Sequence, residues 1–371
     1  MENRTGLRAA SLLVSGAADQ NRQPGPEGIG HGDQIPIEMR SALRAAVEPF
    51  ECPSVARACW QLFSSLGFYV VALILMYRSL ELSYWLTLVL ALPASGFLVR
   101  TFIVQHDCGH GSFFGSRRAN DIVGTVCSVF TLAPYQNWRR QHSQHHANWN
   151  NLDRREHGAD IYTSCLTVNE YRALSPLRRL LYRLPRHPLP AHFIYPPLVF
   201  LLLYRFPFDT PRNWTAERRS VWLTNIGIAS CILLLGARVG FHAVMLVQLP
   251  IVAITTIAGV WLFSVQHRFE TARWLRGAEW NFQTAALTGS SYLKLPRWLQ
   301  WMTGNIGFHH IHHLSPRIPN YRLADCYRGA AILREQPPLT LFTALRASTL
   351  TLWDEAGAKL VRFKDAIPVL R

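Results

Sequence analysis

Four long apolar runs, three histidine-dense windows and a shortage of charge predict an all-α integral membrane protein. The expected architecture is four transmembrane helices in two hairpins, with a cytoplasmic helical cap that gathers the histidines into a metal site. Only 16% of the 371 residues are charged and 49% are apolar, whereas soluble domains carry about a quarter charged residues. That shortfall argues for lipid as part of the solvent. The formal charge of +15 would suit nucleic acid, but the basic residues are mostly arginines in loops between apolar runs. Such loops fit the cytoplasmic side of a membrane and its anionic headgroups, so nucleic acid is excluded as a partner. Seven widely spaced cysteines without a C-x-x-C pair give neither a disulfide framework nor a zinc knuckle.

Residues 1–36, rich in Gly, Gln, Asn and Pro, read as a disordered polar tail without the apolar core of a secretory signal. An amphipathic lead-in over 37–58, interrupted by Pro49 and Pro53, completes an N-terminal segment 1–58. The runs 60–77 and 82–104 each approach the ~20 residues needed to cross a bilayer. Their short link, Arg78-Ser79-Leu80-Glu81, makes them a hairpin with Tyr77, Tyr84 and Trp85 as an interfacial belt. Pro93 is expected to kink the second helix and Arg100 to snorkel to the surface. The stretches 120–135 and 192–204 are placed at the interface; as a helix the latter would rise only about 20 Å against a ~30 Å core. The runs 221–237 and 239–263, joined through Arg238, form the second hairpin, with Gln248 and Pro250 inside the last span. If these four cross and 192–204 does not, all three histidine windows share one side. Arginines crowd 139–220 and are sparse on the opposite turns, which makes that side cytoplasmic. Within it, 150–190 reads as a basic, Pro-punctuated segment.

The windows are His106-Asp107-Cys108-Gly109-His110, His142-Ser143-Gln144-His145-His146 and His309-His310-Ile311-His312-His313. Residues three or four apart share a helix face. His106 with His110, His142 with His145 and His146, and His309 with His312 and His313 therefore each project to one side. Neutral imidazole is a common ligand for iron, zinc and copper. Eight such histidines, with His267 after the last span as a ninth, exceed the four ligands of a zinc site and suit two ions. Imidazole without sulfur or heme at a membrane surface points to non-heme iron with O2 as co-substrate. Iron can activate O2 to cleave an unactivated C–H bond, which side chains alone cannot do. A site at the edge of lipid implies an apolar substrate such as an acyl chain. The H-x-x-H-H spacing selects His309 over His310. Asp107, Asp153, Asp160, Asn305 and His310 are candidates to hydrogen-bond the outer nitrogens of the ligands. His157, His187 and His192 read as surface residues and His242 as interfacial. Phe113, Phe114 and Trp138 are candidates to line an acyl groove. Arg139, Arg140, Arg154 and Arg155 are candidates to dock an acidic electron carrier or to meet headgroups.

Three longer runs carry a family resemblance: His106-Asp107-Cys108-Gly109-His110-Gly111-Ser112-Phe113-Phe114, His142-x-x-His145-His146, and the stretch from Gly304-Asn305-Ile306-Gly307-Phe308-His309 through His313-Leu314-Ser315-Pro316-Arg317-Ile318-Pro319-Asn320-Tyr321. With Asn151-Leu152-Asp153-Arg154-Arg155 and Val265-Gln266-His267, the chain over roughly 59–330 resembles the membrane fatty acid desaturases. It looks closest to their bacterial and plastid-type acyl-lipid Δ12 (omega-6) branch. The resemblance implies a domain over 59–335, a peripheral cytoplasmic end over 336–371, and a di-iron centre that inserts a cis double bond with O2 and two electrons. It implies His106, His110, His142, His145, His146, His309, His312 and His313 as ligands, with His267 matching the family's additional histidine. Trp149 departs from the pattern, standing where relatives mostly have small residues. The alternatives on the same scaffold are a fatty acyl hydroxylase or an acetylenase; a non-enzymatic heme or metal carrier is more remote. His187-Pro188 lacks the glycines of a cytochrome b5 motif, so electrons are expected from a separate ferredoxin or similar donor. The acyl group would ride on a lipid, CoA or carrier protein. The expected location is a multi-pass position in a bacterial inner membrane, with the active site facing the cytoplasm.

Overall fold

The computed structural model describes residues 37–155 and 164–366. The tail of residues 1–36, His157 and Asp160 lie outside the described residues. A lead-in helix α1 (Ile37–Val47) precedes α2 (Val55–Ser79) and α3 (Tyr84–His110), followed by α4 (Arg117–Thr131) and α5 (Tyr135–Asn148). Strand β1 (Leu166–Thr167) opens a segment with α6 (Val168–Ala173), α7 (Pro176–Arg186) and α8 (Tyr195–Leu201). Next come α9 (Thr215–Val239) and α10 (Phe241–His267). The remainder folds into α11 (Phe282–Gly289), α12 (Arg297–Met302), α13 (His309–Leu314), α14 (Asn320–Gly329) and α15 (Leu341–Ala347), then strands β2 (Leu352–Asp354) and β3 (Lys359–Val361).

Among the described residues, four helices are long and apolar enough to cross a membrane: α2, α3, α9 and α10. They pair as two hairpins. The second is joined at Gly240, where φ of +85° excludes most side chains. Their burial is inverted relative to a soluble bundle. Gln61, Ser64, Ser65, Ser95, Thr101 and Gln105 are buried, while Trp60, Phe63, Ile74, Trp85, Leu92 and Leu234 face outward. Lipid is the solvent that favours this arrangement, because polar groups must then find partners inside the protein. Ser79 and Thr87 share a hydrogen bond of 2.7 Å, and Ser95 donates to the Ile251 carbonyl at 3.2 Å, tying α3 to α10.

Two of these helices outrun their apolar stretches. α3 continues to His110 and α10 to His267, so both carry histidines beyond the span on the same rigid rod. The 192–204 stretch is a broken path of a π turn (Pro190–Ile194), α8 and a 3-10 turn (Leu203–Arg205). Pro190, Pro196 and Pro197 withhold the N–H groups that a continuous helix needs.

Arg100 does not snorkel to the surface. It is buried, donates to the Trp301 carbonyl and stacks over that indole at 4.1 Å. The cap also contains a small sheet of order β1-β2-β3, with Leu166 opposite Leu352 in the parallel pair and Trp353 opposite Leu360 in the antiparallel one. Leu352, Trp353 and Leu360 are buried, and Trp353 packs in one cluster with Trp149, Phe269 and Trp274. The chain after residue 336 thus enters the core of the cap, a packing its short apolar pattern does not announce.

Gly124 on α4 faces the buried ring of Tyr135, whose hydroxyl donates to the Cys108 carbonyl at 2.8 Å. A Cβ at Gly124 would overlap that ring. Gly124→Ala is therefore expected to cost about 1–3 kcal/mol by overpacking, read as a lowered unfolding midpoint in detergent.

Candidate metal centre

The nine histidines reach one place from four elements. His106 and His110 occupy the last turns of α3, which Gly111 ends in the left-handed region at φ +74°. α5 presents His142, His145 and His146 inward, α10 ends on His267, and α13 carries His309, His312 and His313. A tight turn feeds α13: Gly304 and Asn305 both have positive φ, and Ile103 packs where a Gly304 side chain would go. All nine residues are buried or nearly so.

The ring nitrogens form two groups. His106, His110, His142, His146 and His312 bring one nitrogen each within 4.8 Å of one another, and so do His145, His267 and His313. His309 adjoins the second group, with its Nε2 2.9 Å from that of His267. In the first group Nε2 of His142 lies 3.0 Å from that of His106, and His146 lies 3.1 Å from both His142 and His312. In the second, His145 and His267 approach to 3.1 Å.

These contacts are not an ordinary hydrogen-bond network. A neutral imidazole offers one N–H and one lone pair, yet His142 and His146 each turn a single Nε2 toward two others. The Nε2 atoms of His110 and His313 are buried without any partner. Lone pairs aimed at a common centre fit a cation. Ring nitrogens 2.9–3.1 Å apart, as these are, stand close enough to share one ion. All-imidazole donors select a first-row transition ion rather than calcium or magnesium.

Asp107 completes the first group from behind. Its Oδ1 lies 2.9 Å from Nδ1 of His106, which fixes the proton there and leaves Nε2 free to ligate. Its Oδ2 accepts from the Asn320 backbone at 2.6 Å and from Asn320 Nδ2 at 2.8 Å, while Asn320 Oδ1 accepts from Gln61 at 2.9 Å. Asn305 joins this chain by donating to the Asn320 carbonyl at 3.2 Å. On the other side, Gly289 offers its carbonyl to His267 Nδ1 at 3.4 Å and to the Trp149 indole at 2.8 Å.

Burial sets the protonation state. It holds the imidazoles of His142, His146, His309, His312 and His313 well below the usual range, with neighbouring imidazoles adding to the effect. His145 is brought down to about 3, again mainly by burial. Neutral imidazole is the form that ligates.

Several expected partners are placed elsewhere. His310 does not touch the ligating rings: its Nε2 faces the Leu333 carbonyl at 3.1 Å and its ring lies near Tyr292 and Tyr327. The helical phase that turns His309 inward turns His310 to the opposite packing layer. Asp153 pairs with Arg276 at 2.9 Å and caps the Gly277 N–H at 2.8 Å, also away from the centre. Phe113 is a core residue packed on Phe114 and Tyr321 rather than a groove wall. Trp138 stacks on His142 with ring centres 4.6 Å apart, so it braces a ring of the centre. Arg139, Arg140 and Arg155 form ion pairs with Asp121, Glu217 and Glu170. Sequence reasoning missed Gln61 and Asn320 as supports of Asp107; the signal for Gln61 was an amide inside an apolar span.

Four membrane-crossing helices under a histidine-lined centre able to hold two metal ions define the class as a membrane metalloprotein. Residues 83–342 match the family described as fatty acid desaturase. The chain is 42% identical to a "Fatty acid desaturase" of Bacillus subtilis over 90% of its length and 93% of that protein's. It is 27% identical to the "sn-1 acyl-lipid omega-3 desaturase (ferredoxin)" of Synechocystis, covering 78% and 79% of the two chains. It is 28% identical to the "sn-1 oleoyl-lipid 12-desaturase" of the same organism, covering 61% and 63%. The chain belongs to the fatty acid desaturase family, whose members are oxidoreductases.

Asp107→Asn keeps the shape but removes the charge that orients His106. It is expected to weaken metal retention roughly 10–100-fold, measured by chelator competition on the purified protein. A second expectation concerns acid. His145 and His310, held at about 3 and about 4 by burial, stay neutral in the fold while an unfolded chain protonates near 6.5, so acid favours unfolding. Metal-free protein should keep its stability above about pH 6.5 and lose it progressively toward about pH 4, followed by thermal unfolding across that range.

Proposed function

We propose that this chain inserts a cis double bond at the Δ12 (omega-6) position of a fatty acyl chain carried on a membrane lipid, consuming O2 and two electrons from a ferredoxin-like donor. The observation that carries this reading is the convergence of nine buried imidazoles, in two groups, beside four membrane-crossing helices. In this reading His106, His110, His142, His146 and His312 hold one iron ion. His145, His267, His309 and His313 hold the other. Iron so bound supplies the activation of O2 that cleavage of an unactivated C–H bond requires. The protein's own part is positional: Asp107 and the Gly289 carbonyl hold His106 and His267 in the ligating tautomer, and burial keeps the rings neutral and excludes water.

The Δ12 position is supported by the relative named as an oleoyl-lipid 12-desaturase. The lipid-borne substrate and ferredoxin donor are supported by the other Synechocystis name. A bacterial inner membrane, with the centre facing the cytoplasm, is supported by the arginine bias of 139–220 and the Bacillus relative. Trp149, the residue that departs from the family pattern, packs against His267 with ring centres 3.9 Å apart. No observation favours hydroxylation or alkyne formation.

Expression in a host that makes monounsaturated but not polyunsaturated chains tests the proposal. New double bonds mapped to Δ12 are expected, and His142→Ala or His313→Ala should reduce the product by at least the ~100-fold that loss of an outer partner can cost. An unchanged lipid profile with iron loaded and donor present, or oxygen gained instead of hydrogen lost, overturns it.

A further inference from the structure

α7 is an amphipathic helix mounted the wrong way round for water. Leu177, Leu180, Leu181 and Leu184, spaced by three and four, share one face and are 57–65% exposed. Arg179 and Arg186, both half-buried, lie on the other face, against the cap. Arg179 donates to the Leu174 carbonyl at 3.0 Å, and Arg186 stacks on Tyr182 at 4.0 Å and donates to Ser164 at 3.2 Å. Arg183 lies over Phe363 at 5.5 Å. A helix at an aqueous surface would bury its leucines and expose its arginines.

We propose that α7 lies in the plane of the membrane, with its leucine face embedded in the leaflet bordering the metal centre and its arginines holding the cap down onto it. The occupant of that face is lipid, for three reasons. The apolar strip continues through exposed Phe193 and Ile194 into α8, which packs on the membrane-crossing α10. It therefore merges with the outward faces of helices that lipid already covers. Exposed Arg178, at the margin of the leucine face, sits where anionic headgroup phosphates would meet it. The segment's length and charge also suit interfacial burial: three turns cannot span, and an arginine-flanked leucine stripe binds at the headgroup boundary. This inference rests on the four crossing helices and not on the proposed reaction, and its test reads position rather than turnover.

The test uses the full-length protein with exposed Cys52, Cys59 and Cys231 replaced by serine. Single cysteines are introduced as Leu181→Cys, Leu184→Cys or, in the exposed β2–β3 turn, Ala356→Cys. Each is labelled with an environment-sensitive fluorophore and the protein is placed in nanodiscs of phosphatidylcholine and phosphatidylglycerol. Labels at 181 and 184 are expected to emit to the blue of the label at 356, to be quenched by a nitroxide lipid and to be shielded from aqueous iodide. Iodide quenching equal to that at 356 would place the face in water. Shielding from both quenchers would place a protein partner or a second copy there. Either result overturns the proposal, and agreement between the two leucine positions guards against one misfolded variant.

Discussion

Nine imidazole lone pairs turned toward shared points repel one another unless positive charge stands between them, and the surrounding low dielectric sharpens the penalty. The arrangement of this chain follows from that constraint. α3 and α10 must be rigid past the lipid to deliver His106, His110 and His267, and α5 and α13 must be fixed against them. Each ring must stay neutral, which burial secures at His142, His145, His146, His309, His312 and His313. Orientation comes from behind, through the Asp107 carboxylate and the Gly289 carbonyl.

The supports extend well beyond the centre. Asp107 is held by Asn320, and Asn320 by Gln61 in the first span and Asn305 before the third window. One polar chain therefore links α2, α3 and α14 across the sequence. Trp149 braces His267 and His145, and it is itself packed among Trp274, Trp353 and Phe269. The strands near the C-terminus thus act on the metal centre through aromatic packing, at one remove. The cap is held to the bundle by such contacts as Arg100 on Trp301.

The leucine face of α7 and the outward faces of the spans are two forms of one solution to the same solvent. Where lipid replaces water, apolar side chains gain nothing by turning inward, and polar groups must be paired within the protein. The buried Ser, Thr and Gln residues of α2 and α3 and the cap-facing arginines of α7 obey that rule together.

Span length and three-or-four spacing are local properties of the chain, so the four crossing helices and the shared face of the histidines within each window are legible in the residues, while the meeting of the windows is a matter of tertiary contacts. Arg100, His310, Asp153 and Phe113 take their places from residues outside their own elements, at Trp301, Leu333, Arg276 and Tyr321, which local spacing does not bring into view. The small sheet joining residues 166–167 to 352–361 has strands only two or three residues long, and its parallel pair links β1 to β2 across about half the chain, so no local pattern announces it. α7 shows the limit most plainly. Its leucine stripe is written in the sequence, but which face meets the cap was decided only when Tyr182, Arg179 and Arg186 packed there, which turned the leucines outward.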